Sequence, residues 1–342
     1  MGVSIRLVNL GFTQYINKKS VPQTARDFTL GRHALTTKKA KKAAQARSTH
    51  KQPNTLEIGS ERICDCAANH INCLTAKEWM LSQIAIQEFF YEKRDIRDKK
   101  KHPATFPIAL AAHFIKLFTH KGELVLDPFV GSGTTLVAAQ DLDRNAVGFD
   151  LKKDYVELAH SRISRPRLTD FTQETATKQL AICANAKNIA EHLEPESVAF
   201  CITSPPYANM LNRKRLNKSL RGNLRKNEHY RTVQQYSDDA EDLGTMDTTK
   251  YVKTLGTIFK GIRPLLRPKA HCVINITDLW WKNQRLPIHV DTIKEMERVG
   301  YELRNVIIWD RRNLVNRAGI FGWPNNFITL STTFEYLLDF RQ

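Results

Sequence analysis

The sequence predicts an open α/β domain: a mostly parallel sheet of seven strands with helices on both faces, plus a basic N-terminal extension. Three observations carry this. A glycine-rich stretch, Asp127-Pro128-Phe129-Val130-Gly131-Ser132-Gly133-Thr134-Thr135, lies between an apolar run, Glu123–Leu126, and a helix-like run, Leu136–Ala139. A second apolar run, Val198–Ile202, ends in Thr203-Ser204-Pro205-Pro206-Tyr207. Downstream, short apolar runs alternate with segments of helical period, as βα units do.

Strand, glycine turn and helix in succession are how an open α/β sheet builds a cofactor pocket. Gly131 and Gly133 allow a sharp turn and close approach by a ligand. No lysine follows the glycines, so the stretch is not a P-loop. Taken alone it could equally be an ordinary βα turn.

The bulk properties bound the function. A chain of 342 residues with 42% hydrophobic content can bury one large core. No apolar run approaches 18 residues, and Met1–Leu10 is too short and polar for a secretory leader. Six scattered cysteines (64, 66, 73, 183, 201, 272) predict reduced thiols rather than a disulfide framework. A formal charge of +17 favours a polyanionic partner, nucleic acid before others.

The charge is unevenly placed. Residues 1–60 hold 11 Lys/Arg against two acids, with Lys38, Lys39, Lys41 and Lys42 in an Ala-rich run that reads as a short basic helix. This segment reads as an arm that holds DNA phosphates or as a solvated tail. Cys64, Cys66, His70 and Cys73 could supply four zinc ligands, but the spacing is not a strong pattern and a paired Cys-x-x-Cys is missing. They are read as buried or incidental residues, and no metal site is assigned.

From Thr75 to Arg94 the period is helical, with Trp79, Ile84, Ile86, Phe89 and Phe90 on one expected buried face and Thr75/Glu78 as a capping box. A second helix is expected over Ile108–Phe118, with Pro107 suited to its first turn. Ala146–Asp150 reads as a strand ending in an acid about twenty residues past the glycines. There Asp150 either accepts ribose hydroxyls or caps the following helix, Lys153–Arg162. Ala181–Ala186 reads as a third strand and its turn.

Residues 211–232 hold eight Lys/Arg and one acid, and an acidic stretch at Asp238, Asp239, Glu241 and Asp242 follows. Such a block is either a solvated loop or a clamp that orders on DNA. Helices are then expected over Tyr251–Leu266 and Leu286–Val299, and strands over Cys272–Ile276, Val306–Trp309 and Phe334–Phe340.

Together, Asp-Pro-Phe-x-Gly-Ser-Gly-Thr-Thr and Thr-Ser-Pro-Pro-Tyr resemble the amino-group DNA methyltransferases that use S-adenosylmethionine, the Ser-Pro-Pro-Tyr form being most similar to the N4-cytosine branch. The resemblance covers roughly residues 73–342 and implies a Rossmann-like class I methyltransferase fold. The His-Pro segment and glycine motif precede the Pro-Pro motif, as in a permuted subset; many N4-cytosine enzymes have the catalytic half first. The domain organisation expected is a basic extension over 1–72 and a catalytic domain over 73–342, with a basic DNA-contacting insertion at about 208–248. By resemblance, His102, Pro103 and Phe106 wall the methionine end of the cofactor. Asp127, Pro128, Phe129, Gly131, Ser132, Gly133, Thr134 and Thr135 form its turn. Asp150 and Leu151 meet the ribose, and Asn185 and Ala186 the adenine. The family usually has Asp where Asn185 stands, but an amide oxygen can still face an exocyclic amine.

The chemistry explains the second motif. An exocyclic amine is a poor nucleophile because its lone pair is conjugated into the ring. Consecutive prolines fix the backbone so that the Pro205 carbonyl and the Ser204 hydroxyl can accept from the amine's hydrogens as charge develops. Pro206 completes the rigid turn, and Tyr207 offers a flat face for a flipped base. Ring-carbon methylation would need a cysteine nucleophile, and no Pro-Cys site is present. The expectation is thus N4-cytosine methylation of double-stranded DNA, with adenine N6 as the alternative and an idle cofactor-sensing DNA-binding protein as a second. Arg213, Lys214, Arg215, Lys218, Arg221 and Arg225 are the expected DNA contacts. The resemblance also implies a cytoplasmic, nucleoid-associated, prokaryotic-type protein and allows a cognate restriction endonuclease as partner.

Overall fold

The structure, a computed structural model, describes residues 55–67, 70–97, 102, 105–165, 177–208, 239, 241–281, 284–314 and 332–342. The Lys38–Lys42 run, Pro103 and the six expected DNA-contacting residues between Arg213 and Arg225 lie outside them.

The central strands are β2 (Leu124–Asp127), β3 (Asn145–Asp150), β4 (Gln179–Cys183), β5 (Val198–Thr203) and β6 (Leu266–Ile276), mutually parallel in the order β4-β3-β2-β5-β6. β10 (Phe334–Arg341) runs antiparallel between β6 and β9 (Glu302–Asp310). This accounts for the seven expected strands. An eighth, β1 (Ile86–Glu88), pairs parallel with β9 at the edge, and β7 (Leu279–Trp281) and β8 (Gln284–Leu286) form a separate antiparallel pair. The class I methyltransferase expectation holds, with one strand added.

After β1 at the far edge, the chain crosses to β2, winds outward through β3 and β4, then returns to the other side of β2 as β5. The strand order therefore reverses between β2 and β5, where an open sheet has its crevice at the carboxyl ends of the strands. The glycine turn follows β2 and the Ser-Pro-Pro-Tyr segment follows β5, so residues about seventy apart in sequence meet at that crevice.

Helices cover both faces. α3 (Ile108–Phe118), α4 (Thr134–Asp141) and α5 (Lys153–Ile163) share one core with Val125, Phe200 and Ile202. α6 (Thr248–Ile262) and α7 (Ile288–Arg298) share the other with Leu124, Leu126 and Phe149. Leu124, Val125 and Leu126 thus split between the two cores, as the period of two in a strand requires. α6 begins three residues earlier than expected because the Asp247 side chain caps it, accepting from Lys250 N. Pro107 gives α3 no side-chain cap. Asp95, in the short helix α2 (Lys93–Arg97), supplies one instead, accepting from Ile108 N at 3.1 Å.

The helix expected over Thr75–Arg94 is corrected. The Thr75/Glu78 capping box is present, but the helix α1 runs only Ala76–Leu81. Of the expected buried face, Phe89 is buried while Ile84, Ile86 and Phe90 are exposed. The edge of β9 offers open backbone partners to residues 86–88, and this pairing overrides a helical period that lacked a full apolar face.

Residues 51–342 form one compact unit. Residues 56–63, expected within the extension, bind its core: Leu56 N donates to His192 O, Ile63 N to Lys121 O, and Arg267 to Ser60 O.

Gly133 shows how tightly the turn is set. It stands at φ +82°, and an added Cβ would lie 2.7 Å from Ala159 Cβ on α5. Gly133→Ala should cost about 2–5 kcal/mol, combining left-handed strain with overpacking. Denaturant unfolding measures it; an unchanged midpoint would show that the turn can shift away from α5.

Candidate functional site

One cavity of about 300 Å³ occupies the crevice. Its lining includes Gly131, Ser132, Thr134 and Asp150 at one side and Ser204, Pro205, Pro206 and Tyr207 at the other. Of the residues expected around a cofactor, His102, Phe106, Pro128, Phe129, Leu151, Asn185 and Ala186 also line it.

Asp127, Gly133 and Thr135, also expected at the cofactor, stand behind this lining. Asp127 points inward. Its Oδ1 accepts from Thr203 Oγ1 at 2.6 Å and Phe129 N at 3.1 Å, and its Oδ2 accepts from Thr135 Oγ1 at 2.6 Å. It therefore pins the glycine turn to the end of β5, immediately before Ser204. Burial pushes its carboxyl up to about 6, against the pull of these donors.

Asp150 keeps a place at the cavity wall. Gly131 N donates to Oδ2 at 3.0 Å and Lys152 N to Oδ1 at 2.9 Å. Of its two expected roles the capping one is seen, the carboxylate capping the approach to α5 while keeping lone pairs at the cavity wall. Burial raises its carboxyl to about 6. Gly131 stands at φ +48°, and a Cβ there would come within 2.8 Å of His102 Nε2. His102 is buried with its ring 4.4 Å from that of Tyr155, and burial, reinforced by Arg162 and Lys152, lowers it to about 4, so it is a neutral wall.

Asn185 lines the cavity but its amide is already engaged. Its Oδ1 accepts from Lys187 N at 3.0 Å, capping the turn Ala186–Glu191, and its Nδ2 donates to Glu241. The local turn takes one lone pair of that oxygen, and the second remains. Glu241 also pairs with Lys187 Nζ at 2.8 Å, and Glu241, Asp242 and Leu243 all line the cavity. Glu241 and Asp242, of the acidic stretch that follows the basic block, therefore supply a wall.

Behind the Ser-Pro-Pro-Tyr segment lies a network that sequence reasoning missed. Tyr207 Oη donates to Glu335 Oε2 at 3.1 Å, Asn275 Nδ2 donates to the same oxygen at 2.8 Å, and Arg311 pairs with Oε1. Asn275 Nδ2 also lies 3.5 Å from Ser204 Oγ. Asn275 Oδ1 and Trp309 Nε1 are buried without a hydrogen-bond partner among the described residues. Both residues also line the cavity. A polar residue inside an otherwise apolar strand was the available signal, both for Asn275 in β6 and for Glu335 in β10. Arg162 on α5 was also missed. It donates to Ser132 O at 2.9 Å, Ser132 Oγ at 2.8 Å and Thr134 Oγ1 at 3.2 Å, clasping the glycine turn from behind.

Comparison with known proteins gives a consistent picture. Residues 15–161 match the family model described as DNA methylase. The chain is 37% identical over 78 residues to the type II methyltransferase M.HpaI of Haemophilus parainfluenzae, covering 23% of this chain and 25% of that protein. It is 48% identical over 66 residues to the type II methyltransferase M.SmaI of Serratia marcescens, covering 19% and 23%. The chain thus spans about a quarter of the length of these relatives. Among solved structures, a SAM-dependent methyltransferase from Methanosarcina mazei aligns with a TM-score of 0.41 at 10% identity, covering 67% of this chain and 96% of that one.

Proposed function

We propose that the chain is an amino-group DNA methyltransferase, a reading supported by its match to the DNA methylase family model and to type II methyltransferases, and that it transfers a methyl group from S-adenosylmethionine to N4 of a cytosine turned out of double-stranded DNA. The observation that carries this reading is the single cavity shared by the glycine turn with Asp150 and by Ser204–Tyr207. A donor pocket and an acceptor pocket opening on one space are what in-line group transfer requires.

The residues present fit the cofactor. Gly131 lines the cavity with no side chain, packed so that a Cβ would meet the His102 ring, and Asp150 has lone pairs left for ribose hydroxyls. Phe106, Phe129 and the neutral His102 offer apolar walls. When bound, S-adenosylmethionine supplies a methyl group already activated by its sulfonium centre.

The chain's own work is to hold and polarise the acceptor amine. The Ser204 hydroxyl and the Pro205 carbonyl accept from the two amine hydrogens, strengthening as the nitrogen becomes cationic. Tyr207, fixed at its hydroxyl by Glu335, presents its ring to the flipped base. The basic segments at 1–60 and 211–232 supply phosphate contacts.

The choice of cytosine rests on Ser204 opening the Pro-Pro-Tyr motif. Nucleoside mass spectrometry of a plasmid exposed to the protein and cofactor tests it, with N4-methylcytosine expected. N6-methyladenine alone would move the reaction to adenine while leaving the chemistry intact. Absence of any methylated base from binding-competent protein would overturn the enzyme reading.

A further inference from the structure

Away from the cavity, three thiols and an imidazole converge from three separate parts of the chain. Cys64, Cys66, Cys73 and His120 each place one ligand atom within 4.8 Å of the others. Cys64 Sγ lies 3.3 Å from Cys73 Sγ and 3.3 Å from Cys66 Sγ. His120 Nδ1 lies 3.4 Å from Cys64 Sγ, 3.4 Å from Cys73 Sγ and 3.8 Å from Cys66 Sγ. A disulfide needs sulfurs about 2.05 Å apart, so these are separate thiols. A tetrahedral zinc site with Zn–S of about 2.3 Å and Zn–N of about 2.0–2.1 Å has ligand–ligand edges of about 3.5–3.8 Å. The observed separations fall within a few tenths of an ångström of that polyhedron.

We propose that Cys64, Cys66, Cys73 and His120 form a structural zinc site. His70, the imidazole expected from sequence proximity, is not among the four; His120 takes the position from 47 residues beyond Cys73. Three thiolates with one imidazole in tetrahedral array select zinc among the common cations. Four protein ligands leave no open position, so the site is closed and its role is to hold the chain.

The backbone is arranged for this. Asn72 and Cys73 stand at φ +50° and +68°, in a tight turn closed by the Ile71–Leu74 bridge. Two successive left-handed non-glycine residues cost free energy and persist where their surroundings fix them. The Asn72 side chain ties this turn to Leu117 O at 2.5 Å, His120 N donates to Glu123 at 2.6 Å, and Arg62 Nε donates to Cys64 O at 2.8 Å. A three-thiolate site carries net negative charge with its zinc, and Arg62 lies beside it.

His120 lies in the connection between α3 and β2, before the strand whose far end begins the glycine turn. Four strand residues separate the ends by about 13 Å, so the ion would sit at the opposite edge of the sheet from the cavity. It would fasten residues 62–74 to the core there, independently of the reaction at the other edge.

The test is metal analysis of the full chain purified without chelator. One zinc per chain is expected by mass spectrometry of the metal, falling to near zero in Cys73→Ser and in His120→Ala. Cys183→Ser, an exposed cysteine elsewhere, should retain it. Exchange with cobalt should give the thiolate charge-transfer and tetrahedral ligand-field bands in the wild-type chain, a readout that stands even if a variant fails to fold. A metal-free wild-type chain that takes up no cobalt, with these thiols freely alkylated or two of them oxidised to a disulfide, overturns the proposal.

Discussion

Ser204→Ala should lower single-turnover methyl transfer to duplex DNA by roughly tenfold to a thousandfold, the scale of losing one preorganised polar partner of a developing charge. The effect should fall on rate rather than on cofactor affinity if, as proposed, Gly131 and Asp150 hold the donor while Ser204 faces the acceptor across the shared cavity. Tyr207→Ala should lower both turnover and target affinity, with a stacking loss of about 1–3 kcal/mol. Its hydroxyl shares Glu335 with Asn275, so Tyr207→Phe separates the two roles: the ring remains for the base while the anchor to Glu335 is lost. Tyr207→Phe should therefore retain most target affinity. Variants at Ser204 and Tyr207 that all match the wild-type rate would remove the catalytic assignment.

Cofactor affinity should fall about tenfold for each pH unit below about 6, and the dependence should vanish in Asp150→Asn. Burial holds the Asp150 carboxyl at about 6, and only its ionised form is a strong acceptor for ribose hydroxyls. Protonation of the free chain must then be reversed on binding, which gives the slope. Stability should run the other way. A carboxyl raised in the folded state contributes stability that is fully present below its unfolded value near 4 and is lost as pH rises through about 6. Asp127, also raised to about 6 by burial, acts in the same direction, so Asp150→Asn should remove only part of that stability slope. Asp150→Ala should weaken cofactor binding by about 1–3 kcal/mol at neutral pH. Calorimetry across pH 5–8 distinguishes these outcomes; a flat affinity profile in the wild-type chain would show that Asp150 does not contact the ligand.

The sequence by itself determined the frame of this protein. The apolar runs at 124–126, 146–149, 198–202 and 272–276 became central strands, and the helix Ile108–Phe118 was legible to the residue. Buried parallel strands and amphipathic helices announce themselves because their periods are local. The Gly131–Gly133 turn and Ser204–Tyr207 were legible for a related reason: a positive φ and a rigid proline turn each leave few residue choices. Tertiary structure alone decided which side chains met. That Asp127 pins two loops together was not legible, because its partners Thr135 and Thr203 are eight and 76 residues away. Glu335 joined Tyr207 across 128 residues, and His120 displaced His70 beside the cysteines. Residues 86–88 became a strand because β9 offered an unpaired edge. Hydrogen-bond partners, clusters of thiols with an imidazole and edge pairings are satisfied in space, and their separation along the chain leaves no periodic trace.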